Sequence, residues 1–222
     1  MPLLHPLIGD VVGSRAIADR AGFQVRLAEV LDEVSALLSP AQVLETTVGD
    51  EFQGAFTTIA DAALAALLVR LALLPDADVR CGLGHGEVTV HGQERRPLLQ
   101  DGPGWWAARD ALDVLGAPRR AAQRTWYVGP DAGRVNAFLL TRDALVDRLG
   151  DRGWRLLASA LAGASQTEIA AAEGISKSAV SQQFARGVGA VRDAHRSFAA
   201  DLEEDSREPG AGGPVAGRDR GR

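Results

Sequence analysis

One cysteine, one lysine and no long apolar run: the chain is first defined by what it lacks. A lone Cys81 excludes an internal disulfide framework and suits a reducing compartment. The longest apolar stretch, Ala62 to Leu74, is interrupted by Arg70 and falls short of the roughly 20 residues a membrane span needs. The opening Met1-Pro2-Leu3-Leu4-His5-Pro6 has neither the basic start nor the apolar core of a signal peptide, so the expectation is a cytoplasmic protein. What is present is ordinary for a globular chain. Of 222 residues, 46% are hydrophobic and 24% charged, enough for the core of one large domain or two small ones.

The net charge of −5 argues against indiscriminate nucleic-acid binding, because such affinity comes from neutralised phosphates. The charge is unevenly spread. Residues 1–145 hold 13 basic and 18 acidic side chains, residues 146–200 hold 7 and 5, and residues 201–222 hold 4 and 6. Any contact with nucleic acid is therefore expected to be local, in the middle segment, and dimeric.

Periodicity predicts a mixed α+β chain. Strands are expected at Leu3–Ile8, Val43–Thr47, Phe52–Thr57, Val79–Val90 and Thr125–Val128, with Thr89–Glu94 reading as the top of a hairpin. Helices are expected at Asp19–Leu38, where apolar residues recur every three or four positions, and at Ile59–Leu74 and Trp105–Leu115. The first six elements follow the βαββαβ order of a ferredoxin-like sheet with helices on one face. Residues 1–140 are read as this domain and 141–200 as a small all-α domain. Residues 201–222, rich in Gly, Pro and charge, are read as a disordered tail.

In the second domain, helices are expected at Asp143–Leu149 and Trp154–Leu161. Then Gln166–Glu173, the tight turn Gly174-Ile175-Ser176 and Lys177–Gly187 have the spacing of a helix-turn-helix, with Ala170, Ile175 and Val180 as core positions. Residues 165–187 would then meet DNA. Lys177, Ser178, Ser181, Gln182 and Gln183 are candidates for base edges, and Arg186 for a phosphate. The competing use of such a hairpin is protein contact or dimerisation.

Two aspartates stand out, each preceded by a glycine at a strand edge: Asp10 in Ile8-Gly9-Asp10-Val11 and Asp50 in Val48-Gly49-Asp50-Glu51. In a βαββαβ sheet the first strand lies beside the third, so both carboxylates come to one end of the sheet. Together they could share Mg²⁺ or Mn²⁺ with the phosphates of a nucleotide. Backbone N–H groups of Val11, Val12, Gly13 and Ser14 would face those phosphates. Taken singly, Asp10 is equally a turn cap and Asp50 an ordinary Gly-Asp turn residue. Arg109 is equally a surface partner of Asp113. The four histidines lack metal-ligand spacing, Cys81 reads as a small buried hydrophobe, and Gly82-Leu83-Gly84-His85-Gly86 is not followed by a helix as a dinucleotide loop would be.

Three blocks, Gly9-Asp10-Val11-Val12-Gly13-Ser14, Thr47-Val48-Gly49-Asp50 and Val79–Val88, resemble successive blocks of class III nucleotidyl cyclases in the right order. A fourth, Gly104-Trp105-Trp106-Ala107-Ala108-Arg109, resembles the cyclase helix carrying an Asn and, four residues on, an Arg. Over residues 5–198 the chain resembles the SatD family, a cyclase-like half followed by a helix-turn-helix. The cyclase resemblance implies that Asp10 and Asp50 hold metal, that Arg109 steadies the transition-state phosphate, and that Thr46, Gly49 and Trp105 line the nucleotide. It also exposes two departures. Thr46 stands where cyclases carry the purine-reading Lys, and Trp105 where they carry the ribose-orienting Asn. The only lysine, Lys177, lies in the other domain. Losing one transition-state donor costs about 10²–10³ in rate. The expectation is thus a homodimeric, DNA-binding transcriptional regulator whose nucleotide-binding half is weak or inactive as a catalyst. The alternatives are a metal-dependent nucleotidyl cyclase or related phosphoryl-transfer enzyme, and a dimerisation scaffold.

Overall fold

The computed structural model describes residues 1–47, 49–92 and 98–207. In chain order the elements are β1 (Leu3–Val12), α1 (Arg20–Leu38), β2 (Gln42–Thr46), β3 (Glu51–Phe56), α2 (Ile59–Leu73), β4 (Asp78–Gly84) and β5 (Gly86–Glu87). Next come β6 (Thr89–Gly92), β7 (Leu99–Asp101), α3 (Pro103–Gly116), β8 (Thr125–Val128), α4 (Ala132–Val146) and α5 (Asp151–Leu161). The chain continues with α6 (Gln166–Ala172), α7 (Lys177–Gln183) and α8 (Gly189–Arg207). The main sheet runs β2-β3-β1-β4-β8, with β5 also paired to β1. β8 lies parallel to β4, and β1 is antiparallel to both β3 and β4.

β1 is apolar on both faces because both are covered. Leu7 and Val11 enter a core with α1, α2 and α4, whereas Leu4 and Ile8 meet Trp105, Ala108 and Leu112 of α3 on the other side. α2 is hydrophobic almost all round, as a helix enclosed on all sides should be. Its Ala62 and Ala66 face the sheet core, and its Leu67 and Leu71 enter a second core with Val146, Leu156 and Val180. Side-chain caps start these helices: Asp19 accepts from Gly22 N at 2.9 Å, and Thr58 accepts from Asp61 N at 3.0 Å.

Several expected boundaries move. β1 runs four residues beyond Ile8, because Val11 and Val12 continue the ladder opposite Val79 and Asp78. The stretch Val79–Val90 is three strands, broken at His85 and Val88. Its last piece, β6, does form a hairpin with β7, while the expected hairpin tip at Gln93 and Glu94 lies outside the described residues. α4 begins at Ala132, so the domain boundary expected near 141 falls inside a helix. Its buried face carries Asn136, Arg142 and Asp143, which hides the apolar periodicity. The helix expected over Lys177–Gly187 stops at Gln183 and gives way to an irregular turn, in which Gly187 takes φ of 138° before α8 begins. α8 continues to Arg207, so the first part of the expected tail is helical. Residues 208–222 lie outside the described residues.

Candidate functional site

Strand register brings Asp10, Glu51 and Arg80 into one row. Asp10 is the cross-strand partner of Glu51 on one side and of Arg80 on the other. The row lies on the α3 face of the sheet, where Arg109 reaches down to it. Arg109 donates to both carboxylate oxygens of Glu51, at 2.9 and 2.8 Å. Arg80 donates to Asp10 Oδ2. The Glu51 carboxylate raises the Arg109 guanidinium further above its ordinary value, and Asp113 and Asp10 add smaller fields. Arg109 is therefore a bidentate partner of Glu51 across the sheet, where the sequence offered Asp113 on its own helix.

Glycines fit the row together. Gly9 lies under the Phe52 ring, which a β-carbon there would overlap, so its place is explained by close approach and not by a turn. Gly49 has φ of 73° in the β2–β3 turn, and Gln24 of α1 ties that turn down by donating to the Gly49 carbonyl at 2.9 Å. Asp50 sits in the same turn, one residue from Glu51 and half-buried. Asp10 and Asp50 do come to the same end of the sheet.

The surroundings differ from expectation in three ways. Val11 and Val12 belong to the strand, where the ladder pairs them with β4 and not with β3, and Val11 is buried. Gly13 lies beyond it, and Ser14 opens the single 3₁₀ turn that leads to α1. Trp105 is 7% exposed and packs in the core below α3, so its ring is no stacking face for a base; the exposed ring is Trp106, at 58%. Thr46 closes β2 opposite Phe52 and is half-buried.

Divalent cations need several free oxygens. Here Asp10 is engaged by Arg80 and both Glu51 oxygens by Arg109, leaving Asp50 as the carboxylate with no side-chain bond among the described residues. No cluster of three or more His, Cys, Asp or Glu side chains suited to a metal occurs among the described residues. As arranged, the free donors of the row and its turn, among the described residues, are Asp10 Oδ1 and the Asp50 carboxylate. Glu51 and Arg80 were the residues that sequence reasoning passed over. Both sit in the quoted blocks, but only strand register shows that they flank Asp10.

The C-terminal candidates occupy a separate surface. α6 opens with a capping box, in which Ser165 accepts from Glu168 N at 3.3 Å and Glu168 accepts from Ser165 N at 2.8 Å. Gly174 turns the chain with φ of 62°, and Ser176 caps α7 by accepting from Ala179 N at 3.2 Å. Ala170 and Val180 are buried and Ile175 packs against the same core. Lys177, Ser178, Ser181, Gln182 and Arg186 are exposed, and Gln183 is half-buried.

Residues 5–120 match the SatD family. No curated protein matches. Two solved structures of a bacterial light-regulated adenylyl cyclase align with 56% of this chain at 12% identity and a TM-score of 0.40. The aligned part spans 43% of one of those chains and 76% of the other.

Proposed function

The chain belongs to the SatD family, and from that premise we propose that it is a homodimeric DNA-binding regulator. In this reading a ferredoxin-like, cyclase-type half carries a helix-turn-helix formed by α6 and α7. The observation that carries it is the exposed polar face of α7. Lys177, Ser178, Ser181 and Gln182 are exposed on a helix whose other side is pinned by Val180, with the Ser178 hydroxyl also hydrogen-bonded to that of Ser176. Gln suits adenine and Ser tolerates either base edge, with Arg186 placed toward phosphate. A dimer supplies two such helices for paired half-sites.

Selection from a random duplex library with the full chain tests this. The expected result is enrichment of a paired half-site, weakened by about fivefold to 150-fold by Gln182→Ala, since a bidentate base contact is worth about 1–3 kcal/mol. No enrichment, or enrichment indifferent to substitutions along α7, overturns it.

A second reading, a metal-dependent nucleotide enzyme, has one observation in its favour: Asp10 and Asp50 meet at one end of the sheet. The engagement of Asp10 by Arg80 and of Glu51 by Arg109 stands against it. A thermal-shift titration with ATP and GTP, with and without Mn²⁺, tests for a working metal and nucleotide site, as stabilisation that needs metal and disappears in Asp50→Ala. Mn²⁺-dependent turnover of the nucleotide, lost in the same variant, would favour the enzyme.

A further inference from the structure

At the far end of β1 from Asp10 lies a cavity of about 560 Å³, within the roughly 300–1,000 Å³ of small-molecule sites. It opens beside the carboxyl ends of the parallel pair β4 and β8, between the first turns of α2 and α4. One wall is aromatic. His5 and His85 have ring centroids 4.7 Å apart, and Tyr127 lies 6.2 Å from His5. Another wall is apolar, with Ile59 from α2, Val135 from α4 and Leu202 from α8.

The charge of the lining restricts what can bind. No lysine or arginine is among the described residues that line the cavity, whereas Asp61 and Asp131 both do. Each helix N-terminus contributes about half a positive charge, so two carboxylates against two such ends leave roughly one negative charge. An anion would meet that charge with no cation to receive it.

Nδ1 of His5 and Nδ1 of His85 are both buried without a partner among the described residues. Burial and the neighbouring His85 lower the His5 pKa to about 4, so at neutral pH this ring adds no positive charge to the cavity. Burial and the Asp131 charge push the Tyr127 phenol up to about 12, which keeps its ring neutral beside a cation.

We propose that this cavity binds a small organic amine with an apolar or aromatic body. Its ammonium group is held by Asp61 and Asp131, and its body lies against Ile59, Val135 and Leu202. One Asp61 oxygen already accepts from the Thr58 hydroxyl at 2.7 Å, which fixes that carboxylate at the rim. The site shares no residue with the Asp10 row or with α7, so it stands or falls independently of the function proposed above.

Calorimetric titration of the full chain with phenethylamine, 2-phenylethanol, phenylacetate and ZnCl₂ tests the assignment. Phenethylamine is expected to bind one per chain, about tenfold or more tighter than its neutral and anionic counterparts. Ala199→Phe, which fills the cavity, should abolish binding. Asp131→Asn keeps a residue type that tolerates the left-handed backbone at this exposed position, and should weaken binding about tenfold with the melting temperature unchanged. Equal binding of all three organic probes, preference for phenylacetate, or no phenethylamine binding at millimolar concentration overturns the proposal. Saturable zinc binding without amine binding does so too, and would make the histidine pair a metal site.

Discussion

The two ends of β1 treat their polar side chains in opposite ways. At the Val12 end, each carboxylate of the row has found a guanidinium: Asp10 has Arg80, and Glu51 has Arg109. At the Leu3 end, His5 and His85 present buried nitrogens that nothing in the described protein satisfies. A matched row keeps one free carboxylate oxygen among the described residues, Asp10 Oδ1, for a ligand. An unmatched wall retains its bonding capacity, but on nitrogens sealed from the neighbouring cavity. The contrast directs attention away from the aspartates that first drew it and toward histidines that sequence spacing had dismissed.

The largest effect should come from the interior extreme of matching. Arg142 is 2% exposed and donates to the Asp143 carboxylate, the Thr125 hydroxyl and the Ala63 carbonyl at 2.8, 2.6 and 2.8 Å. Arg142→Leu leaves Asp143 buried without a counter-charge, so urea unfolding should show a loss of about 3–5 kcal/mol. A loss under about 1 kcal/mol would place this pair with the exposed ones and dissolve the distinction.

Acid should act next, and through the unmatched groups. His195 is 5% exposed with neither ring nitrogen bonded, and burial, aided by Arg142, lowers its pKa to about 3. Its folded value lies below the ordinary 6.5, as does that of His5 at about 4. The unfolded chain therefore takes up protons first. Stability is full above pH 6.5 and declines as pH falls toward 4 and then 3, by up to about 1.4 kcal/mol per pH unit for each histidine. Urea midpoints between pH 7 and pH 4.5 measure this, and His195→Phe should flatten the decline. An unchanged slope in that variant would remove His195 from the account.

The smallest effect belongs to the exposed row. Arg109 and Glu51 have side chains 44% and 34% exposed. Arg109→Ala should therefore cost less than about 1 kcal/mol in thermal unfolding, despite its two good hydrogen bonds. A larger cost would mean that the row helps to hold α3 to the sheet.

How far the sequence reveals this protein depends on where its polar residues are spent. α1 and α2 are legible because their caps, Asp19 and Thr58, and their apolar positions agree. α4 is concealed because it buries Asn136, whose side chain bonds both the N–H and the carbonyl of Tyr127, together with Arg142 and Asp143. A polar face turned inward looks in the sequence like a loop or a surface. The meeting of Asp10 with the β2–β3 turn follows from the order of elements. The engagement of Asp10 by Arg80 depends on register, which no local pattern encodes. His5 and His85 are 80 positions apart in the chain, and only the antiparallel pairing of β1 with β4 makes them neighbours.

The glycines of β4 carry a consequence of their own. Gly82 and Gly84 face α3, and a β-carbon at either position would overlap the backbone of that helix, at Ala108 and Leu112 or at Gly104 and Ala108. Helix and sheet thus meet backbone to backbone, and the gap between them is set by missing atoms more than by packed ones. Such a joint has almost no clearance. One added methyl group acts as a shim, lifting the helix that bears Arg109 away from Glu51 and moving the Trp105 ring with it. The span of the charged row is gauged from beneath, by two residues that take no part in its chemistry.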